Sequence, residues 1–252
     1  MLKVRIMPTL LYKDVGLVKG VGFDSWRRIG SAMQTVKVYN LRQVDELVLL
    51  DIRATLDGRG PDLAAVDELA DECFMPLTVG GGVRTIDDVH ALLMVGADKV
   101  SMNTAAIEKP ELIREVADRF GSQCAVVSID ARRQSDGTYE VFTHAGTRDT
   151  GLDPVTVARN AERMGAGEIL LTSIDHDGAM DGYDLDLTLM VTAAVQLPVI
   201  ASGGAGTYQD MADVLGQGHA SAVAAASMFH FTEQTPLEAK RYLGELGFAV
   251  RR

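Results

Sequence analysis

Pro76-Leu-Thr-Val-Gly-Gly-Gly-Val-Arg-Thr85 returns later in the chain as Pro198-Val-Ile-Ala-Ser-Gly-Gly-Ala-Gly-Thr207, an offset of 122 residues from 76 to 198. Two further pairs fall on the same offset: Asp45-Glu-Leu-Val-Leu-Leu-Asp51 on Gly167-Glu-Ile-Leu-Leu-Thr-Ser173, and Val95-Gly-Ala-Asp98 on Gln217-Gly-His-Ala220. Three segments in one register mean that the chain is two copies of a single unit, whereas a solenoid would show several shorter periods.

Working outward from these anchors, short β-branched runs alternate with amphipathic stretches. Residues 4–7, 46–52, 77–79, 99–102, 125–129, 168–172, 199–201 and 222–225 read as eight strands, with helical patterns between them such as 86–95 and 110–120. Strands that alternate with helices need crossover connections, which give a parallel sheet covered on both faces. Eight such units in two equal halves point to a parallel (β/α)8 TIM barrel with a twofold half-barrel repeat, rather than an open doubly wound sheet.

The 252 residues, 47% of them hydrophobic, suffice for one barrel domain spanning 1–252. A formal charge of −11 argues against nonspecific binding to nucleic acid or an anionic membrane, because a polyanion is repelled at long range. Any anionic ligand must therefore be held by local donors. Cys73 and Cys124 stand in no paired motif, so neither a disulfide framework nor a metal site is expected, and a reducing cytoplasm is the default. The first eleven residues hold no leader-like apolar run, and no stretch approaches the roughly 20 apolar residues of a membrane span. The scattered methionines need no cofactor, and none is expected.

Each half carries a glycine run at a strand end, Gly80-Gly-Gly82 and Ser202-Gly-Gly-Ala-Gly206, leading into a helix start. Glycine lets backbone N–H groups approach an anion closely. The bland alternative is a pair of tight turns. A second polar strand end follows in each half, Ser101-Met-Asn-Thr104 and Ala224-Ala-Ala-Ser227, and loops after adjacent barrel strands are neighbours on one rim. Two anion sites facing each other across the rim fit a small molecule with a phosphate at each end. Asp51, after the second strand, either orients that ligand or balances a helix start. No metal spacing links His144, His176 and His230, which read as solvated or hydrogen-bonded histidines.

Beyond these single features, Val79-Gly-Gly-Gly-Val-Arg84, Gly96-Ala-Asp-Lys-Val-Ser101, Arg119-Phe-Gly-Ser-Gln-Cys124, Gly165-Ala-Gly-Glu-Ile-Leu-Leu-Thr-Ser173, Asp181-Gly-Tyr-Asp-Leu185 and Ile200-Ala-Ser-Gly-Gly-Ala-Gly206 resemble the cyclase subunit of imidazole glycerol phosphate synthase. The likeness extends from Arg5 to about Val250. It implies a glutaminase subunit docked on the N-terminal face of the barrel, as a heterodimer, and ammonia passing through the barrel to the other face. It implies a gate of Arg5, Glu46, Lys99 and Glu168, for which the bland alternative is two salt bridges of little consequence. It also implies that Gly82, Asn103 and Thr104 bind one phosphate. Thr172, Asp177, Gly178, Ser202, Gly203, Gly204, Ala226 and Ser227 would surround the other phosphate or the adjoining sugar. Lys19, in the first loop, would close over the substrate; the alternative is a solvated lysine.

The resemblance further implies two carboxylates on opposite sides of the rim, because adding ammonia and closing the ring moves protons in both directions. Asp130, in Val127-Ser-Ile-Asp130, supplies the one after the fifth strand. The family's first strand ends in Cys-Leu-Asp, but this chain reads Thr9-Leu-Leu11, so Leu11 stands where the other acid belongs. Asp14 lies three residues further on, several ångströms of chain away. Other changes fall on the same face: Ala145 after His144, and Phe23-Asp-Ser-Trp26 in a loop expected over residues 21–30. The gate positions are unchanged.

That split resembles paralogues of the family that accompany a glutaminase and a separate sugar amidotransferase in bacterial surface-polysaccharide synthesis. The first reading is thus an ammonia-channelling barrel serving amidation of a nucleotide-linked sugar. The second is an authentic cyclase (lyase) of histidine biosynthesis. A third is a silent scaffold that stabilises a partner.

Overall fold

The computed structural model describes residues 3–14 and 16–251. The expected domain span 1–252 and the expectation about the first eleven residues rest in part on Met1, Leu2, Val15 and Arg252, which lie outside those described. In chain order the strands are β1 (Arg5–Lys13), β2 (Gly16–Val21), β3 (Asp24–Gly30), β4 (Leu47–Asp51), β5 (Leu77–Gly80), β6 (Lys99–Met102), β7 (Ala125–Arg133), β8 (Tyr139–Thr143), β9 (Arg148–Asp149), β10 (Glu168–Ser173), β11 (Val199–Ser202) and β12 (Ala222–Ala225). The helices are α1 (Ala32–Leu41), α2 (Leu63–Ala70), α3 (Ile86–Met94), α4 (Thr104–Glu108), α5 (Glu111–Phe120), α6 (Pro154–Arg163), α7 (Leu185–Thr192), α8 (Tyr208–Gly216), α9 (Ser227–Phe231) and α10 (Pro236–Glu245).

β1, β4, β5, β6, β7, β10, β11 and β12 hydrogen-bond in that order, every neighbouring pair parallel, and β12 returns to β1 through Arg5↔Ala222 to Pro8↔Ala225. The result is a closed (β/α)8 TIM barrel. Period-2 alternation sends one set of side chains inward, where Met7, Val48, Val126, Leu170, Ile200, Ala222 and Ala224 fill the lumen. The other set packs outward against the helices, as Leu10, Leu49, Val79 and Ile129 do. Burying a Val, Leu or Ile side chain contributes roughly 1.5–3 kcal/mol, and both shells gain it from one ring of strands.

The half-barrel repeat survives in fine detail. Thr85 caps α3 by accepting from Asp88 N while the Asp88 carboxylate accepts from Thr85 N, and Thr207 and Asp210 do the same at α8. Both pairs lie 122 residues apart. β1 and β7 each overrun the barrel and turn back into an antiparallel strand, β2 and β8 respectively. These overruns, with β3 and β9, are additions to the eight expected strands. Residues 21–30 form not a loop but the β2–β3 hairpin, whose Asp24-Ser-Trp-Arg-Arg-Ile-Gly30 strand is largely exposed and too polar to read as a strand.

The two caps offer a direct check of the repeat. Thr85→Ala and Thr207→Ala should each lower the unfolding free energy by about 1 kcal/mol, and the double variant by about twice that, because the sites share no contacts. Urea midpoints measure this; an effect at one cap and none at the other would contradict the equivalence.

Candidate functional site

All eight parallel strands deliver their C-terminal ends to one mouth, so the loops that follow them converge there. They build a cup lined by Thr9, Leu11, Leu50, Asp51, Gly81, Gly82, Ser101, Asn103, Thr104, Ser128, Asp130, Thr172, Asp177, Gly178, Ser202, Gly203, Gly204, Ala226 and Ser227, with Lys19, Phe23 and Trp26 from the β2–β3 hairpin above. Every residue expected around the ligand is therefore brought to one cavity.

The register decides what Leu11 is. Leu11 pairs with Leu50 across β1 and β4, and Asp130 pairs with Thr172 across β7 and β10. Leu50 and Thr172 are 122 residues apart, so Leu11 and Asp130 are equivalent positions of the two halves. β1 and β7 lie four strands apart in either direction, which sets the two side chains on opposite walls. One wall is apolar, Leu11 beside Leu50; the other is polar, Asp130 beside Thr172. Asp14 does not reach the cup: it sits exposed at the turn after β1 with φ 56°.

Asp130 is buried, and burial pushes its carboxyl up to about 7, aided by the nearby Asp177 and opposed by hydrogen bonds from Ser128 and Thr172. The Ser128 hydroxyl donates to Asp130 Oδ1 at 3.2 Å. Asp177 is raised as well, again mainly by burial, although Lys19 Nζ lies 2.6 Å from its Oδ2. Lys19 is 2% exposed, so it is neither a solvated lysine nor a loop residue; β2 carries it inward to Asp177. Gly22 N donates to Asp177 O at 2.8 Å and fastens the hairpin to the opposite half of the rim.

The glycine cradles are geometrically necessary. Gly203 and Gly204 have φ of 88° and 105°, and a Cβ on Gly203 would meet Ser173 O at 2.5 Å. Tight turning alone accounts for these glycines. The second polar strand ends are more informative. The hydroxyls of Ser101 and Ser227 are buried and, among the described residues, have no hydrogen-bond partner, although both residues line the cup. Unpaired buried hydroxyls cost free energy unless a ligand or water engages them. α4 and α9, which begin at Thr104 and Ser227, have no side-chain cap, so their first N–H groups are not taken by side chains.

Three of the residues named from sequence have partners within the fold. Asn103 uses its amide to brace the barrel, donating to Ser128 O at 3.2 Å and Phe142 O at 3.1 Å, while Thr104 donates to Asn103 Oδ1 and accepts from His144 N. Asp51 has both oxygens engaged: Oδ1 accepts from Arg53 N and Ala54 N at 3.0 Å, and Oδ2 pairs with Arg59 at 2.7 Å. It folds the loop around Gly82, a role nearer the balancing alternative. His230 fits the hydrogen-bonded reading: it is partly buried near the rings of Tyr39 and Phe231, it has a hydrogen bond to the Thr9 backbone, and burial pushes it down to about 4. Ser128 and Arg59 were not singled out from sequence. Inward alternation from Val126 to Asp130 would have found Ser128, whereas Arg59 carries no local signal.

At the opposite mouth, Arg5, Lys99 and Glu168 open β1, β6 and β10, and Glu46 immediately precedes β4. They close into one ring. Arg5 Nη1 lies 2.9 Å from Glu46 and 2.8 Å from Glu168, and Lys99 Nζ lies 2.8 Å from Glu46 and 3.2 Å from Glu168. Thr78 adds a hydroxyl donated to Glu46 Oε1 at 2.8 Å. Each charge serves two partners, which isolated salt bridges do not require. Removing one member leaves a poorly solvated charge unbalanced.

A comparison with protein families matches residues 5–235 to the model described as histidine biosynthesis protein. The chain belongs to that family. The match covers every barrel strand, the cup and the charged ring. Among its described residues no helix is long and apolar enough to cross a membrane, and no group of three or more His, Cys, Asp or Glu is placed to hold a metal ion.

The buried carboxyl gives a pH signature. Asp130 titrates higher in the folded chain than its ordinary 3.8, so its stabilising contribution is full below that value and is lost as pH rises through about 7. The unfolding free energy of Asp130→Asn relative to the parent should therefore increase with pH across this window. Urea titrations at several pH values test it; a difference independent of pH would contradict the buried-acid environment.

Proposed function

We propose that this barrel pairs with a glutaminase subunit at its N-terminal face and channels ammonia through the charged ring. The ammonia would serve amidation of a nucleotide-linked sugar in surface-polysaccharide synthesis, with a sugar amidotransferase as third partner. One observation carries the reading: the ring of four charges is closed, while Leu11 stands where the resemblance expects the cup's second carboxylate. Cyclisation needs proton transfer in both directions, and a missing general acid or base removes roughly 10²- to 10⁴-fold of rate. Leu11 can do neither. Passage of ammonia needs only the ring and the lumen, and those positions carry the residues that the resemblance assigns to the gate.

The competing reading is an authentic imidazole glycerol phosphate synthase cyclase of histidine biosynthesis. The surroundings of Asp130 favour it, since a carboxyl titrating near 7 is suited to general acid–base work at neutral pH, and both glycine cradles remain. In either reading a phosphorylated small molecule occupies the cup, with Gly82, Thr104 and Ser101 at one end and Gly203, Gly204 and Ser227 at the other.

Glutaminase rates measured with and without the barrel test the partner assignment. The parent should stimulate the glutaminase, and Lys99→Ala or Glu46→Ala should abolish most of that stimulation; Lys99→Met, which keeps the aliphatic stem, controls for lost packing. Absence of stimulation by the parent would sink the pairing. Stimulation that survives every ring substitution would favour a scaffold without a gate.

A further inference from the structure

The β2–β3 hairpin brings two aromatic rings, those of Phe23 and Trp26, to the lining of the cup. Each is backed by a glycine. A Cβ on Gly20 would stand 3.0 Å from Trp26 Cε3, and one on Gly146 would stand 2.7 Å from Phe23 Cδ2, so both rings lie directly on backbone. Phe23 also has a φ of 63°, which a bulky residue adopts only where its surroundings impose it. The hairpin itself is fixed: Gly22 N donates to Asp177 O at 2.8 Å, Lys19 Nζ pairs with Asp177 at 2.6 Å, and the Arg27 guanidinium stands 3.7 Å from the centre of the Phe231 ring. Leu11, Leu50 and Ile52 add apolar surface to the same cavity. Nothing in the anion-binding role of the cup calls for two rings held in this way.

We infer that Trp26 determines what the cup selects beyond phosphate: a planar heteroaromatic ring, stacked on the indole, in a ligand whose phosphate lies at a glycine cradle. The inference rests on the phosphorylated ligand of the proposed reading and names the class of the rest of that ligand. Trp26 is half-buried and lines the cavity, so part of its indole is open to a ligand. A flat surface supported from behind cannot wrap round a flexible chain. A second flat ring covers it fully and gains offset stacking beyond the area it buries. Aromatic side chains that carry stacked bases contribute the equivalent of roughly tenfold or more in affinity. The two readings supply the ring from different sources, the base of a nucleotide-linked sugar or the imidazole of a cyclase ligand, and both present a flat face.

Trp26 is the only tryptophan, so its fluorescence reports on the cup alone. The full-length barrel is titrated with adenosine diphosphate, with an imidazole nucleoside monophosphate, and with a hexose bisphosphate that has phosphates but no aromatic ring; calorimetry supplies the affinities. At least one ring-bearing ligand should quench Trp26, and the tighter of the two identifies the source of the ring. Its affinity should fall about tenfold or more in Trp26→Ala and Trp26→Leu and stay within about threefold in Trp26→Phe, while the hexose bisphosphate binds parent and variants alike. Trp26→Leu keeps apolar bulk on the hairpin, so it stands in should Trp26→Ala fail to fold. No quenching by either ring-bearing ligand, or equal losses for the hexose bisphosphate, would overturn the inference. Binding of none of the three would overturn the phosphorylated-ligand reading along with it, whereas hexose bisphosphate binding without any preference for a ring overturns the inference alone.

Discussion

The hydrogen bonds that join β12 to β1 fix everything else about the molecule. Once eight parallel strands close, the chain has no free barrel edge, and all strand starts share one mouth while all strand ends share the other. Four charges at strand starts thereby meet, though they lie as far apart as Arg5 and Glu168 in sequence. Two glycine runs at strand ends face each other for the same reason. Side-chain alternation does the rest: the inward set passes from charge at the ring, through apolar packing, to the polar and apolar walls of the cup.

Closure also makes the internal repeat chemically meaningful. In an open sheet two equivalent positions need not face each other, whereas in a ring of eight, positions four strands apart stand on opposite walls. Leu11 and Asp130 are such a pair. The symmetry of capping boxes, overrunning strands and glycine turns is kept between the two halves, and it breaks where Leu11 stands opposite Asp130. The break is conspicuous because the backbone around it is undisturbed: Leu11 keeps its register and stays buried.

Much of this was legible in the chain itself. Constant offset between repeated segments indicated two half-barrels, and β-branched runs located the eight barrel strands, because burial on both faces leaves few polar residues in them. The β3 strand was not legible, since its exposed Arg27 and Arg28 carry no burial pattern. Lys19 was read as a loop residue because nothing local distinguishes a solvated lysine from one carried by a hairpin to Asp177, 158 residues away. Asn103, expected at a phosphate, does line the cup, but its carbonyl partners on Ser128 and Phe142 are not legible locally, because they exist only after β7 and β8 are in place. The four ring residues were identified one by one, but their sharing of partners is a property of the closed barrel.

On the proposed reading, a single absent proton-transfer group separates this barrel from a cyclase. Steady-state conversion of the two-phosphate cyclase substrate with ammonium salts, comparing the parent with Leu11→Asp, tests this directly. The parent should be slower than a normal cyclase by roughly 10²-fold or more, and Leu11→Asp should recover much of that loss. A parent that turns over at the normal rate, with Leu11→Asp bringing no gain, would contradict it and leave histidine-pathway cyclisation as the barrel's activity.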